Sequence, residues 1–345
     1  MARLIPIDGS EAESGGEILR TALSLSMLTG QGFEMTRIGS SRLRPGLRAQ
    51  DVAVVRAATM ASGAKVGGTF EGSPDLRFEP GPLAAGAFRF DLASPAAVSF
   101  VAQTLLVPLA TATEGSHLEI TGGTHVPESP SFHYLARHWA VVLADLGLRA
   151  RFELTKAGFH PAGGGEIRVD VETWARPATL RLEERGSLVA LRGVSGASRL
   201  KGNVAERQRD TVQEQLWEKQ RLEVEWEMDG PPSASPGSFL HLEAVFEKSR
   251  AAFGFLGEPG VRPETMGGRA ARRLLRFLES EGAVDGFLAD QLAVPLAAAR
   301  GGGRITTDEV THHLETVAKT LCLFGFSAET WGRRGGPGGL EVGSS

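Results

Sequence analysis

The sequence predicts an α/β (α+β) fold, in which a large domain of repeated α/β modules carries a small inserted α/β domain. Two observations predict it. An Ala/Leu-rich helix, a glycine-containing break and a short strand follow one another repeatedly along the chain, whereas residues 185–277 are richer in charge and contain more polar helices. Repeated modules, each with helices on one face of a small sheet, account for the first feature. An inserted domain that enters and leaves the main domain at neighbouring points accounts for the second.

The repeated helix–strand units occupy most of the chain outside residues 185–277. Their side-chain identity is low, but the constant order of helix, break and strand favours repeated modules over a doubly wound nucleotide-binding sheet. We place the units at residues 18–38, 52–70, 99–122, 132–154, 287–307 and 312–330. The tail, residues 331–345, is predicted to add a glycine hairpin and one last strand.

Residues 185–277 are predicted to form the inserted domain, and residues 1–184 together with 278–345 the main domain. Two polar helices are expected within residues 203–220 and 262–282. Two strands are expected at 221–230 and 238–248, on either side of the loop PPSASPG.

Composition and charge limit the classes of function. The 345 residues are 41% apolar and 23% charged, as in an ordinary soluble globular protein, and the net charge of −4 gives no general attraction to nucleic acid or acidic lipid. Residues 92–113 carry no charge, but their prolines, serines and threonines favour a buried core helix over a membrane span. Because the N-terminus lacks a signal-peptide pattern, we expect a cytoplasmic protein. The single cysteine, Cys322, is expected to be a buried, inert thiol.

Two glycine-rich turns indicate that the protein handles phosphate. Gly15 and Gly16 lead into a helix, and glycines there let backbone N–H groups approach an anion at the helix N-terminus. Gly163, Gly164 and Gly165 enter an alternating strand through a tight turn. The spacing of the two turns matches neither the P-loop nor the Rossmann fingerprint.

Charged residues near the first turn extend this prediction. Arginine presents planar, bidentate donors to phosphate, and a cluster on one short loop favours a local anion site over a solvated surface loop. The arginines are Arg37, Arg42, Arg44 and Arg48. The carboxylates that surround the first glycine pair either bind a hard cation or favour the helix N-terminus electrostatically, and both interpretations stay open. They are Glu11, Glu13 and Glu17.

His312 and His313 stand together at the start of the last long helix. A histidine at a helix start can act as a nucleophile or as an acid/base group. No His-x₃-His pair with a partner carboxylate occurs, so a zinc centre is not expected. From the residues alone, the prediction is an α/β enzyme that handles phosphate, with a metal or a histidine as possible participants.

Taken together, these motifs resemble the RNA 3′-terminal phosphate cyclase family over nearly the whole chain. The resemblance rests on long segments in the family's order. They are IDGSEAESGGEILRTALSLSMLTG, RLRPGLRAQ, GGTHVPESPSFHYL, GFHPAGGGEI, FLADQLAVPLAAA and HLETVAKTL. The resemblance implies a catalytic main domain of repeated βαβαββ units with a small inserted α/β domain, which agrees with the organisation inferred above.

The resemblance also implies the chemistry. The family uses ATP to convert an RNA 3′-phosphate into a 2′,3′-cyclic phosphate, through a covalent histidine–AMP and an RNA-ppA end. ATP and a divalent cation, Mg²⁺ or Mn²⁺, are the implied cofactors. The implied partner is RNA with a 3′-phosphate end, without a membrane, and a homodimer is possible.

Site residues are carried over by position. His313 matches the family nucleophile, with His312 as the adjacent competitor, and Glu13 matches the metal-binding glutamate. Phosphate-binding residues are implied at Arg20, Arg42 and Arg44. The ATP site is implied to comprise Gln103, Pro130, Phe287, Leu288, Ala289, Asp290 and Gln291.

The chain also departs from the family pattern. Val317 stands where an Asn is frequent, and Asp51 where a His commonly follows the PGLR segment. Two alternative functions compete with this prediction: a non-catalytic cyclase-like factor of ribosome assembly, and an enolpyruvyl transferase built of similar modules. The presence of His313 and Glu13 argues against the first, and the absence of the expected Lys/Arg/Asp set against the second.

Overall fold

The computed structural model describes residues 3–11, 16–92, 95–299 and 301–343. The first unit contains two helices and a four-stranded sheet in the order β1-β2-β4-β3, with β1 and β2 parallel and the other pairs antiparallel. Its elements are β1 (Ile5–Asp8), α1 (Gly16–Thr29), β2 (Phe33–Thr36), α2 (Ala49–Ser62), β3 (Lys65–Gly67) and β4 (Leu76–Glu79). Helix α2 ends at Gly63, whose φ of 58° is the left-handed conformation that glycine adopts without strain.

The second unit repeats this topology, with the strand order β5-β6-β8-β7. Its elements are β5 (Ala87–Asp91), α3 (Val98–Ala110), β6 (Ser116–Gly122), α4 (Phe132–Tyr134), a π-helical turn (Leu135–Trp139), α5 (Ala140–Asp145), β7 (Ala150–Lys156) and β8 (Gly165–Val171). The uncharged segment predicted as a core helix contains α3, and nearly every residue of that helix is buried. In the part of the chain that the structure describes, no helix has the length and apolarity that a membrane crossing requires.

A third unit begins with β9 (Leu180–Leu182) and is interrupted by a separate four-stranded sheet in the order β11-β10-β12-β13. The elements of the interruption are β10 (Leu188–Ser198), α6 (Val204–Gln220), β11 (Glu225–Asp229), β12 (Gly237–Phe246), β13 (Arg250–Leu256) and α7 (Pro263–Glu279). The two predicted helices and the two predicted strands are present, and β10 and β13 were not predicted.

The third unit resumes after α7 and completes a sheet in the order β15-β16-β14-β9. Its remaining elements are α8 (Gly286–Ala298), β14 (Gly303–Thr307), α9 (His312–Leu323), β15 (Ala328–Gly332) and β16 (Gly338–Val342). The last two strands form the predicted hairpin. The predicted fold class, helices combined with several small mixed sheets, is confirmed. The prediction for Cys322 is wrong, because its side chain lies on the exposed face of α9.

Helices from the three units pack on one another. Helix α1 contacts α2, α3, α8 and α9, and the three units share one continuous hydrophobic cluster. A second cluster, which includes Val212, Leu242 and Phe277, lies between the interrupting sheet and α6 and α7. On the basis of this separate core, we propose that residues 185–277 form an inserted domain.

Candidate functional site

His313 lies in the first turn of α9, where Thr311 caps the helix by accepting a hydrogen bond from the Leu314 N–H (3.0 Å). Its imidazole is 43% exposed and stands between two carboxyl groups. Nε2 is 3.7 Å from Oε1 of Glu17, and Nδ1 is 3.9 Å from Oδ2 of Asp290. A nucleophilic imidazole needs a lone pair on the nitrogen that reacts and its proton on the other nitrogen.

The neighbouring His312 is placed differently. Its Nε2 lies 3.1 Å from the Glu11 carbonyl oxygen, its Nδ1 lies 3.8 Å from Glu315, and its side chain is only 20% exposed. Because the Glu11 carbonyl oxygen occupies Nε2 of His312 and the His313 side chain is more exposed, His313 is the better placed of the two imidazoles to react with a ligand.

A cavity beside His313 lies where α1, α3 and α8 meet. Within it, Nε2 of Gln103 donates a hydrogen bond to Oε1 of Gln291 (2.7 Å), which joins two residues 188 positions apart. Two side-chain amides offer both donors and acceptors, the groups that recognise the edge of a nucleobase. The cavity is lined by residues that include Glu17, Arg20, Gln103, Asp290, Gln291 and Val317.

Burial raises the pKa of Asp290 well above its ordinary value, and the negative charge of Asp285 adds to this effect while Arg20 opposes it. Val317 is buried one helical turn after His313 and presents an apolar wall to the same cavity. At this position, where the resemblance implied that an Asn is frequent, the chain therefore offers no polar group to the cavity.

The residues implied for the ATP site differ in how far their side chains are exposed to solvent. Phe287, in the first turn of α8, is 58% exposed, whereas the side chains of Leu288 and Ala289 are fully buried in the core. Pro130 is half-buried and precedes the short helix α4. The hydroxyl of Tyr134 on α4 contacts Oδ1 of Asp285 (3.5 Å), which connects the Pro130 segment to the residue that caps the helix of Phe287.

Asp285 is a fully buried carboxylate that fixes the start of α8. It accepts hydrogen bonds from the backbone N–H groups of Phe287 (3.1 Å), Leu288 (3.0 Å) and, on β13, Ala252 (3.1 Å). Its Oδ2 lies 3.4 Å from Nε2 of His138, a fully buried ring whose Nδ1 is 3.6 Å from Glu243 on β12.

Burial lowers the pKa of His138, but the carboxylates of Asp285 and Glu243 outweigh it and hold the pKa above its ordinary value. The two carboxylates therefore favour the protonated form of a ring that lies between α8 and the interrupting sheet. The local sequence around His138 does not indicate this role, because its partners lie more than 100 residues away along the chain.

The implied phosphate-binding arginines take different positions. The Arg20 guanidinium lies 3.8 Å from the centre of the Phe100 ring and lines the cavity beside His313. Arg42 is largely buried and lies 3.8 Å from Asp51. Arg44 is exposed on the loop, and its role in phosphate binding stays a prediction. Arg37, from the same sequence cluster, pairs with Asp8 at the surface.

Glu13, the implied metal ligand, lies outside the described residues. Within residues 3–11, 16–92, 95–299 and 301–343, no group of three or more His, Cys, Asp or Glu side chains is arranged to hold a metal ion. The donor that the structure does show next to the predicted nucleophile is the carboxylate of Glu17, in the first turn of α1.

Comparison with known proteins decides the family. The family model for RNA 3′-terminal phosphate cyclase matches residues 11–327. The chain belongs to this cyclase family. An RNA 3′-terminal phosphate cyclase of Salmonella typhimurium is 39% identical over 316 residues, covering 92% of this chain and 92% of the relative. The Ralstonia nicotianae protein of that name is 40% identical over 316 residues, covering 91% of this chain and 90% of the relative.

A third cyclase, from Ectopseudomonas mendocina, is 40% identical over 322 residues and covers 93% of this chain and 92% of its own. The resemblance drawn from the motifs, and the prediction that the chain is an enzyme of the cyclase family, are confirmed. A solved EPSP synthase from Acinetobacter baumannii aligns at 11% identity with a TM-score of 0.28, covering 100% of this chain and 64% of that chain. A TM-score this low carries no argument about fold or activity.

Proposed function

We propose that this protein uses ATP to convert the 3′-terminal phosphate of RNA into a 2′,3′-cyclic phosphate, with His313 as the nucleophile. One observation carries the proposal: the half-exposed imidazole of His313 stands between Glu17 and Asp290, at a cavity that also contains Arg20, Gln103 and Gln291. The cyclase family names of the relatives supply the reaction class.

In the first step, Nε2 of His313 attacks the α-phosphorus of ATP. A phosphorus–nitrogen bond forms, the bond to the bridging oxygen breaks, and pyrophosphate leaves. Asp290 lies 3.9 Å from Nδ1 on the other side of the ring, and Nε2 is the nitrogen that reacts. Gln103 and Gln291 bind the adenine edge, and the exposed ring of Phe287 covers a face of the base.

The second and third steps transfer AMP and release it. An oxygen of the RNA 3′-phosphate attacks the phosphorus of the histidine-bound AMP, which restores the free imidazole and forms the RNA-ppA end. The neighbouring 2′-hydroxyl then attacks the terminal RNA phosphorus and expels AMP, a ring closure favoured by the proximity of the two groups. Arg20 and Arg42 hold the phosphates by charge-assisted hydrogen bonds.

A divalent cation would be held by Glu13 beside the glycine-rich turn. The carboxylate of Glu17, four residues further on, supplies oxygen of the kind that Mg²⁺ and Mn²⁺ bind. When bound, the cation would offset the negative charge of the departing pyrophosphate.

Incubation with α-³²P-labelled ATP and Mg²⁺ or Mn²⁺, followed by a denaturing gel, tests the proposal. The wild-type protein is expected to retain label that acid releases and alkali does not. His313→Ala is expected to abolish the label, while the matched neighbour His312→Ala retains most of it. Loss of label only in His312→Ala would show that the wrong imidazole was chosen. An unlabelled wild-type protein would refute the proposal in favour of a binding protein or another transferase.

A further inference from the structure

Gly16, the first residue of α1, leaves room for two guanidinium groups. An ideal Cβ built on Gly16 would lie 2.7 Å from Nη2 of Arg48, 3.0 Å from Nη1 of Arg20 and 3.5 Å from Oδ1 of Asp51. These side chains converge on the start of a 14-residue helix, whose backbone N–H groups and partial positive charge favour an anion.

Arg48 is held rigidly at this position by Asp51. The carboxylate is 97% buried, and its Oδ2 accepts hydrogen bonds from the Arg48 backbone N–H (3.0 Å) and from Nε (3.1 Å), while Oδ1 accepts one from Nη2 (3.4 Å). The backbone bond caps the N-terminus of α2, and the other two fix one edge of the guanidinium. Asp51 therefore presents the Nη2 end of Arg48 to Gly16.

Arg42 adds a third guanidinium with unmet hydrogen-bonding capacity. Its Nη1 donates to the carbonyl of Gly46 (3.2 Å), but its Nε and Nη2 are buried without a hydrogen-bond partner among the residues the structure describes. Leaving charged donors buried and unsatisfied is costly, and an anion that accepted them would remove that cost. Burial and the charge of Arg48 lower the pKa of Arg42, which reflects how closely the two cations approach.

The charges at the start of α1 favour an anion. Arg20, Arg42 and Arg48 contribute three positive charges against the carboxylates of Glu17 and Asp51. The carboxyl of Asp290 also lies near Arg20, but burial raises its pKa and so favours its neutral form. Glu17 in turn lies 3.7 Å from His313, which places this group next to the proposed nucleophile.

We propose that Arg48, positioned by Asp51, binds a substrate phosphate at the start of α1 together with Arg20 and Arg42. The inference rests on the proposed function and extends it, since it assigns a ligand to Arg48 and a positioning role to Asp51. The phosphate belongs either to the polyphosphate of ATP or to the RNA 3′ end, and both present the same oxygens to a guanidinium.

Binding measurements, which do not require catalytic activity, distinguish the polyphosphate of ATP from the RNA 3′-phosphate as the ligand. One arm titrates inorganic pyrophosphate by calorimetry. The other compares, by fluorescence anisotropy, a short RNA ending in a 3′-phosphate with the same RNA ending in a 3′-hydroxyl. Arg48→Ala is expected to weaken binding at least about tenfold in one arm, the scale of a lost charge-assisted hydrogen bond. The affinity of Arg48→Lys should lie between those of the wild type and Arg48→Ala, because an ammonium keeps the positive charge but cannot present two parallel donors.

Arg56→Ala, at an exposed position on α2, is the matched control and should bind as the wild type does. Asp51→Asn keeps an oxygen for the Arg48 backbone N–H but loses the charge that orients the guanidinium. It should therefore weaken binding in the same assay as Arg48→Ala and leave the other assay unaffected. Binding by Arg48→Ala and Arg48→Lys within twofold of Arg56→Ala in both arms would overturn the inference. Failure of the proposed function would instead appear as an unlabelled wild-type protein in the ATP assay.

Discussion

The charged ring of His138 gives the most specific prediction about stability. His138 and Asp285 are fully buried, and the Glu243 side chain is 94% buried. Breaking a buried ion pair typically costs about 3–5 kcal/mol. In His138→Phe, Asp285 keeps its three backbone donors, and Glu243 keeps its 3.0 Å contact with Arg250. We therefore expect His138→Phe to lower the free energy of unfolding by about 3 kcal/mol below pH 6.5, the lower end of this range.

The stability lost in His138→Phe should decrease as the pH rises. Because the folded protein holds the pKa of His138 above the ordinary 6.5, the stabilisation is fully present below that pH. It is lost as the pH rises through the higher folded-state pKa. The difference in unfolding free energy between the wild type and His138→Phe should therefore shrink as the pH rises above 6.5 and through the folded-state pKa. Urea unfolding, followed by tryptophan fluorescence to which the buried Trp139 contributes, measures it.

His125→Phe is the matched control, because His125 is equally buried but has the opposite electrostatics. Burial and the charge of His133 lower the pKa of His125 well below 6.5, so the unfolded chain takes up a proton there that the folded protein does not. The wild type then loses stability relative to His125→Phe as the pH falls below 6.5. If the His138→Phe difference stays constant or grows with pH, His138 is not the charged link between α8 and the interrupting sheet.

Two further predictions concern the ligand site. Phe287→Ala should raise the KM for ATP in the labelling assay several-fold with little change in thermal midpoint, because the ring is more than half exposed and contributes little to the core; an unchanged KM would remove it from the adenine site. Gly16→Ala should weaken pyrophosphate or RNA 3′-phosphate binding, because its Cβ would displace Nη2 of Arg48 from a 2.7 Å approach. Full binding by Gly16→Ala would show that the guanidinium position at the start of α1 is not required.

Local patterns predicted the helices and the class of fold well. Helix α3 followed from an uncharged apolar run, and α6 and α7 followed from their polar patterns and flanking turn residues. Strand β10 was not predicted, because its glycines and serines interrupt the alternation that marks a strand. The structure explains the glycine at position 193, because a Cβ there would lie 2.4 Å from the Trp226 ring.

The site was predicted less completely, because its contacts join distant parts of the chain. The family resemblance supplied His313, Gln103 and Gln291, but local sequence does not show that Glu17 faces His313 from 296 residues away. The departure at Asp51 became interpretable only with the fold, in which its carboxylate is seen to orient Arg48. Cys322 was misassigned because an apolar run on a helix does not show which face is buried.

The bond between an imidazole nitrogen and AMP is the central claim, and mass spectrometry of the ATP-treated protein tests it most directly. After digestion under alkaline conditions that preserve a phosphoramidate, one AMP should be found on the peptide that contains both histidines, with fragmentation placing it on His313. AMP on His312, on a lysine, or on no peptide would contradict the account.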